Sequence, residues 1–377
     1  MQYSIEAPAR IFFGRGEAIK APALARAYGP RGVIVHGASA SRAAWLTEAL
    51  QDCQILCIAA PGEPVLDELE AGIAVARAHR PDWVLSIGGG AALDLGKALA
   101  ALIPAPGGAM DHLEVVGKGL PLSAPPLPWI AVPTTAGTGA EVTKNAVIGV
   151  PEHGRKVSLR DPAMLARVAI IDPALTDGSP PGVTLASGLD AITQVIEPFI
   201  SAKATPYSEM ITRAALSPGL PALITLMQRE DPAARDAMAH VSLTGGLALA
   251  NAGLGAVHGL AGVIGGRFPA PHGAICGALL GPVLRANYAA TAGTRFAPRL
   301  EEVFTTLADA LGCAKAEAPE QLSAWAGAAG LPRLASYGIR EADLASIAEA
   351  SAASSSMKGN PVPLSAGTLT EVLRKAL

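Results

Sequence analysis

Along the first half of the chain, short apolar runs alternate with stretches in which apolar positions recur every three or four residues. "RGVIVHG" (31–37) is a β-branched run that closes on glycine, and "SRAAWLTEALQD" (41–52) follows it with helical spacing. "CQILCIA" (53–59) and "VLDELEAGIAVARAH" (65–79) repeat the pair, as do "DWVLSIGGG" (82–90) and "AALDLGKALAALI" (91–103). "PWIAVPTT" (128–135) adds a fourth run of the first kind. Strands alternating with helices of this length predict βαβ units and a parallel sheet. From about Thr184 the pattern changes to long Ala- and Leu-rich helical segments with few strand signals. Between the two, "DPALTDGSPPGV" (172–183) gathers Asp-Pro, Asp-Gly and Pro-Pro breakers into an obvious joint. The pattern therefore predicts an α/β domain over residues 1–180 and an all-helical domain over 181–377.

Composition supports two well-buried cores and removes several function classes. Half of the 377 residues are hydrophobic, 16% are charged and 4% are aromatic, so the interior is built mainly from Ala, Val, Leu and Ile. A net charge of −3 and a pI near 6.2 offer no basic surface for nucleic acid or an anionic membrane. The first residues lack the basic and apolar regions of a secretory signal. Residues 242–266 carry no formal charge and are long enough to span a bilayer. They also hold Asn251, His258 and eight glycines, without aromatic or basic anchors, and so read as buried helices of a soluble, cytoplasmic protein. Cys53, Cys57, Cys276 and Cys313 form no CxxC pair and are expected as free thiols.

Two loops carry candidate chemistry. In "SIGGGAALDLGKALA", Gly88, Gly89 and Gly90 stand where a predicted strand passes into a helix. Glycines there let the backbone approach a pyrophosphate, and the helix start presents free N–H groups. The motif is neither GxGxxG nor a Walker loop. "VPTTAGTGAEVT" (132–143) follows another predicted strand and supplies four hydroxyls and two glycines. Two such loops at strand ends point to a nucleotide. Farther on, Asp190 and Gln194 in "GLDAITQVIE" (188–197) are four apart, on one face of a helix, like half of a metal site with an amide at the second position.

With these motifs in order, the chain resembles the iron-containing (group III) alcohol dehydrogenases, whose fold is shared with glycerol dehydrogenase and dehydroquinate synthase. The resemblance runs from "FGRG" (13–16) through "GGGAALDLGKA" (88–98), "PTTAGTGAEVT" (133–143), "IIDPALT" (170–176) and "GLDAITQVIEPFIS" (188–201) to "HGLAGVIGGRFPAPHGAICG" (258–277). It implies a Rossmann-like dinucleotide-binding domain followed by a helical metal- and substrate-binding domain. It also implies hydride transfer between an alcohol and an aldehyde or ketone, with NAD or NADP as cofactor. Gly88, Gly89, Gly90 and Asp94 would meet the pyrophosphate, Thr134, Thr135 and Thr138 the adenine and nicotinamide ends, and Lys156 the nicotinamide ribose. NAD-preferring members carry an acidic residue after the first strand; here that position is Gly37, with Ser39 and Arg42 following, so a 2′-phosphate can be tolerated.

The same resemblance implies one divalent metal, Fe²⁺ first, with Zn²⁺ or Mn²⁺ as alternatives, held by an aspartate and three histidines. These positions match Asp190, His258 and His272, while the first histidine falls on Gln194. An amide oxygen can ligate such cations, less tightly than imidazole; alternatively Gln194 contacts substrate. Gly262 stands where many members have a second, proton-relaying histidine. The departures keep two alternatives open: a metal-independent reductase like maleylacetate reductase, and a catalytically impaired nucleotide-binding protein. The expected partner is a small-molecule alcohol or aldehyde, with neither nucleic acid nor membrane, and the resemblance implies a dimer or larger homo-oligomer.

Overall fold

In a computed structural model that describes residues 2–377, the apolar runs of the first half become the strands of one parallel sheet. The strands are β1 (Ile11–Phe13), β2 (Arg31–His36), β3 (Gln54–Ala59), β4 (Trp83–Gly88), β5 (Trp129–Pro133) and β8 (Val168–Ile171), in the order β1-β8-β5-β4-β2-β3. Every residue of β4 and β5 is buried, as a central parallel strand requires when both faces are covered. Alternation along β2 divides the core. Val33 and Val35 pack with helices α3 (Leu66–His79) and α4 (Gly90–Leu102), while Ile34 faces the side of α1 (Ala21–Arg26) and α2 (Ala44–Ala49). On that second side the wholly buried Trp83 ring lies over Gly32, its partner in register, where a Cβ would meet the ring at 2.1 Å.

Three features differ from the sequence reading. The stretch 41–52 is a 3-10 turn, Ala40–Ala43, followed by the short α2, rather than one helix. β1 and β8 were not expected, because runs of three and four residues carry too little periodicity to register. Nor was the antiparallel hairpin of β6 (Asn145–Val150) and β7 (Arg155–Arg160). The hairpin is fastened from α4 and from the loop before α3: Asp94 Oδ2 accepts the Val147 amide at 3.0 Å, and Pro64 O accepts the Gly149 amide at 2.8 Å.

Polar anchors bury titratable groups beneath this hairpin. Lys97 Nζ donates to Thr143 Oγ1 at 2.8 Å and to Asn145 O at 2.6 Å, lies 3.7 Å from Asp94, and is 1% exposed. Burial pulls its pKa down to about 8, with Asp94 and Glu141 pulling back. Burial likewise pushes Glu141 up to about 7, against a backbone hydrogen bond and the charge of Lys97.

The second half is helical: α5 (Pro181–Ile200), α6 (Pro206–Gln228), α7 (Pro232–Ala252), α8 (Ala256–Arg267), α9 (His272–Ala290), α10 (Ala297–Leu311), α11 (Ala318–Ala328), α12 (Leu344–Ala352) and α13 (Ala366–Ala376). From Gly188 to Ile200, α5 is buried on all sides, its polar residues Asp190, Thr193, Gln194 and Glu197 included. The uncharged stretch 242–266 is not one helix, since α7 and α8 meet at 97° around Gly253 and Gly255. α6 is long and apolar enough to cross a membrane by length and composition, and it packs against α5 and α7. The chain separates into two compact units. Glu6–Thr135 with Gly139–Thr176 forms the α/β unit; Asp177–Leu377 with Ala136–Thr138 and the residues up to Ile5 forms the helical unit.

Glu141 generates a stability prediction. Its folded pKa of about 7 lies above its ordinary 4.5, so the folded state holds the proton more tightly than the unfolded chain. The associated stability is complete below pH 4.5 and is lost as pH rises through 7. At 1.36 kcal/mol per pH unit the loss is about 3 kcal/mol. Glu141→Gln is expected to flatten the decline between these limits, read from denaturant midpoints of both proteins across that range.

Candidate active site and metal centre

The two loops singled out in the sequence open at strand ends in the α/β unit. Gly88 closes β4 and Gly90 opens α4, with Gly89 between them in extended conformation. The Thr134 amide donates to Gly88 O at 2.9 Å, and the Thr135 side chain lies 3.3 Å from where a Cβ of Gly89 would stand. On the other flank, the Gly37 nitrogen lies 3.3 Å from where a Cβ of Gly88 would stand. Gly37, Gly88, Gly89, Gly90, Thr134 and Thr135 thus gather at the C-terminal ends of β2, β4 and β5, with the first amides of α4 beside them. Helix starts and glycine-lined strand ends of this kind take phosphates.

Other residues named for this role are engaged elsewhere. Asp94 holds the hairpin, as described, and Lys156 pairs with Glu63. Ser39 Oγ is 2.8 Å from Ser41 Oγ on an exposed turn. Thr138 belongs to the helical unit, where its carbonyl accepts Gln194 Nε2 at 2.7 Å.

Within the helical unit, three helices bring the remaining candidates together. Asp190 comes from the middle of α5, His258 from the first turn of α8, and His272 opens α9 directly after Pro271. Asp190 Oδ1 lies 3.3 Å from His258 Nε2 and 3.8 Å from His272 Nε2. Cys276, one turn along α9, joins them: ligand atoms of Asp190, His258, His272 and Cys276 all lie within 4.8 Å of one another. Asp190 Oδ1 and His258 Nε2 are both buried, yet neither has a hydrogen-bond partner. Two unsatisfied acceptor positions in a helical core are costly unless something binds between them. Nitrogen and oxygen donors about 2.0–2.2 Å from a tetrahedral cation stand roughly 3.3–3.5 Å apart, so the Asp190–His258 pair has the spacing of two donors to one divalent metal, with His272 slightly farther out.

Glu197, which the sequence reading passed over, fixes this arrangement. It lies on α5, seven residues after Asp190, and is 3% exposed. Its Oε2 is 2.7 Å from His258 Nδ1 and its Oε1 accepts the Val257 amide at 2.7 Å. His258 therefore donates through Nδ1, and Nε2 is the atom turned toward Asp190 and left for a cation or a proton. The same carboxylate caps α8, whose N-cap Gly255 has no side chain to do so, and Asn360 Oδ1 accepts the next amide, that of Ala256, at 3.2 Å.

Gln194 is held by its nitrogen on Thr138 O, which leaves Oε1 as the end free for other work. Electrostatics mark the cluster as a cation site. Burial works against charging the two imidazoles, but Cys276 and Asp190 outweigh it, with Glu197 adding to the effect at His258. His258 is raised well above its ordinary value and His272 to about 9. Burial raises Asp190, and the two histidines more than reverse it, leaving the carboxyl below its usual range.

Comparison with known proteins agrees with this geometry. The sequence profile for iron-containing alcohol dehydrogenase matches residues 8–173, and that for the family's C-terminal region matches residues 184–377. The long-chain-alcohol dehydrogenase 1 of Geobacillus thermodenitrificans is 37% identical over 297 residues, covering 76% of this chain and 72% of its own. The NAD-dependent methanol dehydrogenase of Bacillus methanolicus is 31% identical over 337 residues, covering 88% and 86%. The crystal structure of a 1,3-propanediol oxidoreductase superposes with a TM-score of 0.86 at 26% identity, covering 100% of each chain. The chain belongs to the iron-containing alcohol dehydrogenase family. It is an oxidoreductase of the alcohol dehydrogenase type.

If Glu197 sets the tautomer of His258, Glu197→Gln should weaken metal binding without unfolding α5. The expected loss is about 10–100-fold in affinity, measured by competition with a chromophoric chelator, with circular dichroism unchanged.

Proposed function

We propose that the protein interconverts a small-molecule alcohol and its aldehyde or ketone, using NAD or NADP and one divalent metal, Fe²⁺ by family. The observation that carries this reading is the pair of buried, unpartnered atoms Asp190 Oδ1 and His258 Nε2, 3.3 Å apart at the family's ligand positions. Asp190, His258 and His272 would hold the metal. A metal held there would supply Lewis acidity, and a bound nicotinamide the hydride chemistry.

The chain's own residues do the rest. Glu197 keeps His258 in the ligating tautomer. Gln194, anchored through its nitrogen, leaves Oε1 for a substrate hydroxyl. Gly262 has no side chain to receive a proton, so it takes no part in moving the hydroxyl proton, and a Cβ there would meet nothing within 4 Å. In the α/β unit, the first amides of α4 with Gly88 and Gly89 bind the pyrophosphate, and Thr134 and Thr135 border the dinucleotide. Gly37 puts no carboxylate at the end of β2, so a 2′-phosphate meets no repulsion there and NADP is accepted alongside NAD.

Reduction of NAD or NADP by a panel of primary and secondary alcohols, followed by absorbance, tests the reading. Chelation or Asp190→Ala is expected to lower kcat/KM roughly a thousandfold, the equivalent of several kcal/mol of Lewis-acid stabilisation. Activity unchanged after complete metal removal would favour the metal-independent alternative. A Cβ at residue 37 would meet nothing within 4 Å. Gly37→Asp should therefore fold normally and raise KM for NADP about tenfold or more, through loss of about 1.4 kcal/mol of binding, while KM for NAD stays equal or falls.

A further inference from the structure

We propose that Cys276 is a ligand of the metal centre, its thiolate supplying the fourth protein donor that Gln194 does not. This rests on the metal-dependent reading above and goes beyond it by assigning the donor set.

His272 and Cys276 are four residues apart on α9 and so share a face at its first turn. Cys276 Sγ is 3.6 Å from His272 Nε2, and the residue is fully buried. A thiolate at about 2.3 Å and an imidazole at about 2.05 Å from one tetrahedral cation stand roughly 3.6 Å apart. A buried cysteine is commonly only a small apolar filler. The sulfur here instead sits within 4.8 Å of the ligand atoms of Asp190, His258 and His272, two of which are orphaned and buried. Gln194, by contrast, spends its amide nitrogen on the Thr138 carbonyl. Cys53, Cys57 and Cys313 lie outside this cluster. An Asp-His-His-Cys set favours Zn²⁺ or Fe²⁺ over Mn²⁺, because thiolate is the softest of the donors.

The test loads the chelator-stripped full chain with one equivalent of Co²⁺ under anaerobic conditions and reads the near-ultraviolet sulfur-to-cobalt charge-transfer band. The wild type is expected to show the band, Gln194→Ala to keep it, and Cys276→Ser to lose it while still taking up cobalt. Preference for Zn²⁺ over Mn²⁺ should fall roughly tenfold or more in Cys276→Ser. X-ray absorption on the zinc-loaded wild type gives the same answer without a variant, as one sulfur scatterer at about 2.3 Å. Stoichiometric cobalt with no such band, or a band that survives Cys276→Ser, overturns the assignment and leaves the metal-dependent reading intact. Failure of the wild type to take up any metal overturns both.

Discussion

The metal cluster depends on how closely α9 approaches α5. At Gly273 a Cβ would stand 2.3 Å from Ala186 O, and at Gly277 it would stand 2.6 Å from Leu189 Cδ1. The two helices therefore touch through backbone on one side, and any larger residue must drive them apart. That contact brings His272 and Cys276 down to Asp190, because the first two sit within a turn of these glycines and Asp190 within a turn of Ala186 and Leu189, the α5 residues the glycines meet. Donor separations in a metal site tolerate only tenths of an ångström. The spacing of the donors is thus a property of the apolar packing between two helices, set before any ligand arrives.

A second tie makes the same helix serve α8. Glu197 reaches from α5 to the first turn of α8, taking the Val257 amide with one oxygen and His258 Nδ1 with the other. Two carboxylates in a helix buried on all sides would be a heavy desolvation cost if left alone. Glu197 serves as cap and orienter, and Asp190 stands at the position proposed for a ligand, so helix start, imidazole orientation and the proposed cation site are linked through a single element. The α/β unit solves a related problem with Lys97, Asp94 and Thr143, which fasten a hairpin instead of holding a ligand. Each unit thus buries a few charged groups, and Asp94, Lys97 and Glu197 are satisfied there in part by backbone amides or carbonyls.

Much of this was legible in the sequence. The apolar runs of the first half marked β2, β3, β4 and β5, two of them closing on glycine, and the order of motifs singled out Asp190, His258 and His272, which the fold brings together. The residues that escaped did so for physical reasons. Cys276 reads as an ordinary buried thiol until one knows that α9 begins at His272, whereupon the four-residue spacing that drew attention to Asp190 and Gln194 applies equally to His272 and Cys276. Glu197 lies seven residues from Asp190, on the same face of an otherwise apolar helix, and a second acid in such a run was the available signal. Asp94 belongs to a motif that touches nucleotide in the family, yet its carboxylate turns to the Val147 amide, a contact with a hairpin that periodicity alone does not reveal.

The lid of indole over Gly32 also has an optical side. Trp83 and Trp129 are buried in the sheet, Trp45 packs against the same core as Trp83, and only Trp325 of the four tryptophans belongs to the helical unit. Intrinsic fluorescence in this protein is accordingly weighted toward the α/β unit, whereas a chromophoric ion at Asp190, His258 and His272 would report on the helical one. Melting followed at the two sets of wavelengths separates the unit that carries the glycine loop from the unit that carries the donors, with no label added to either.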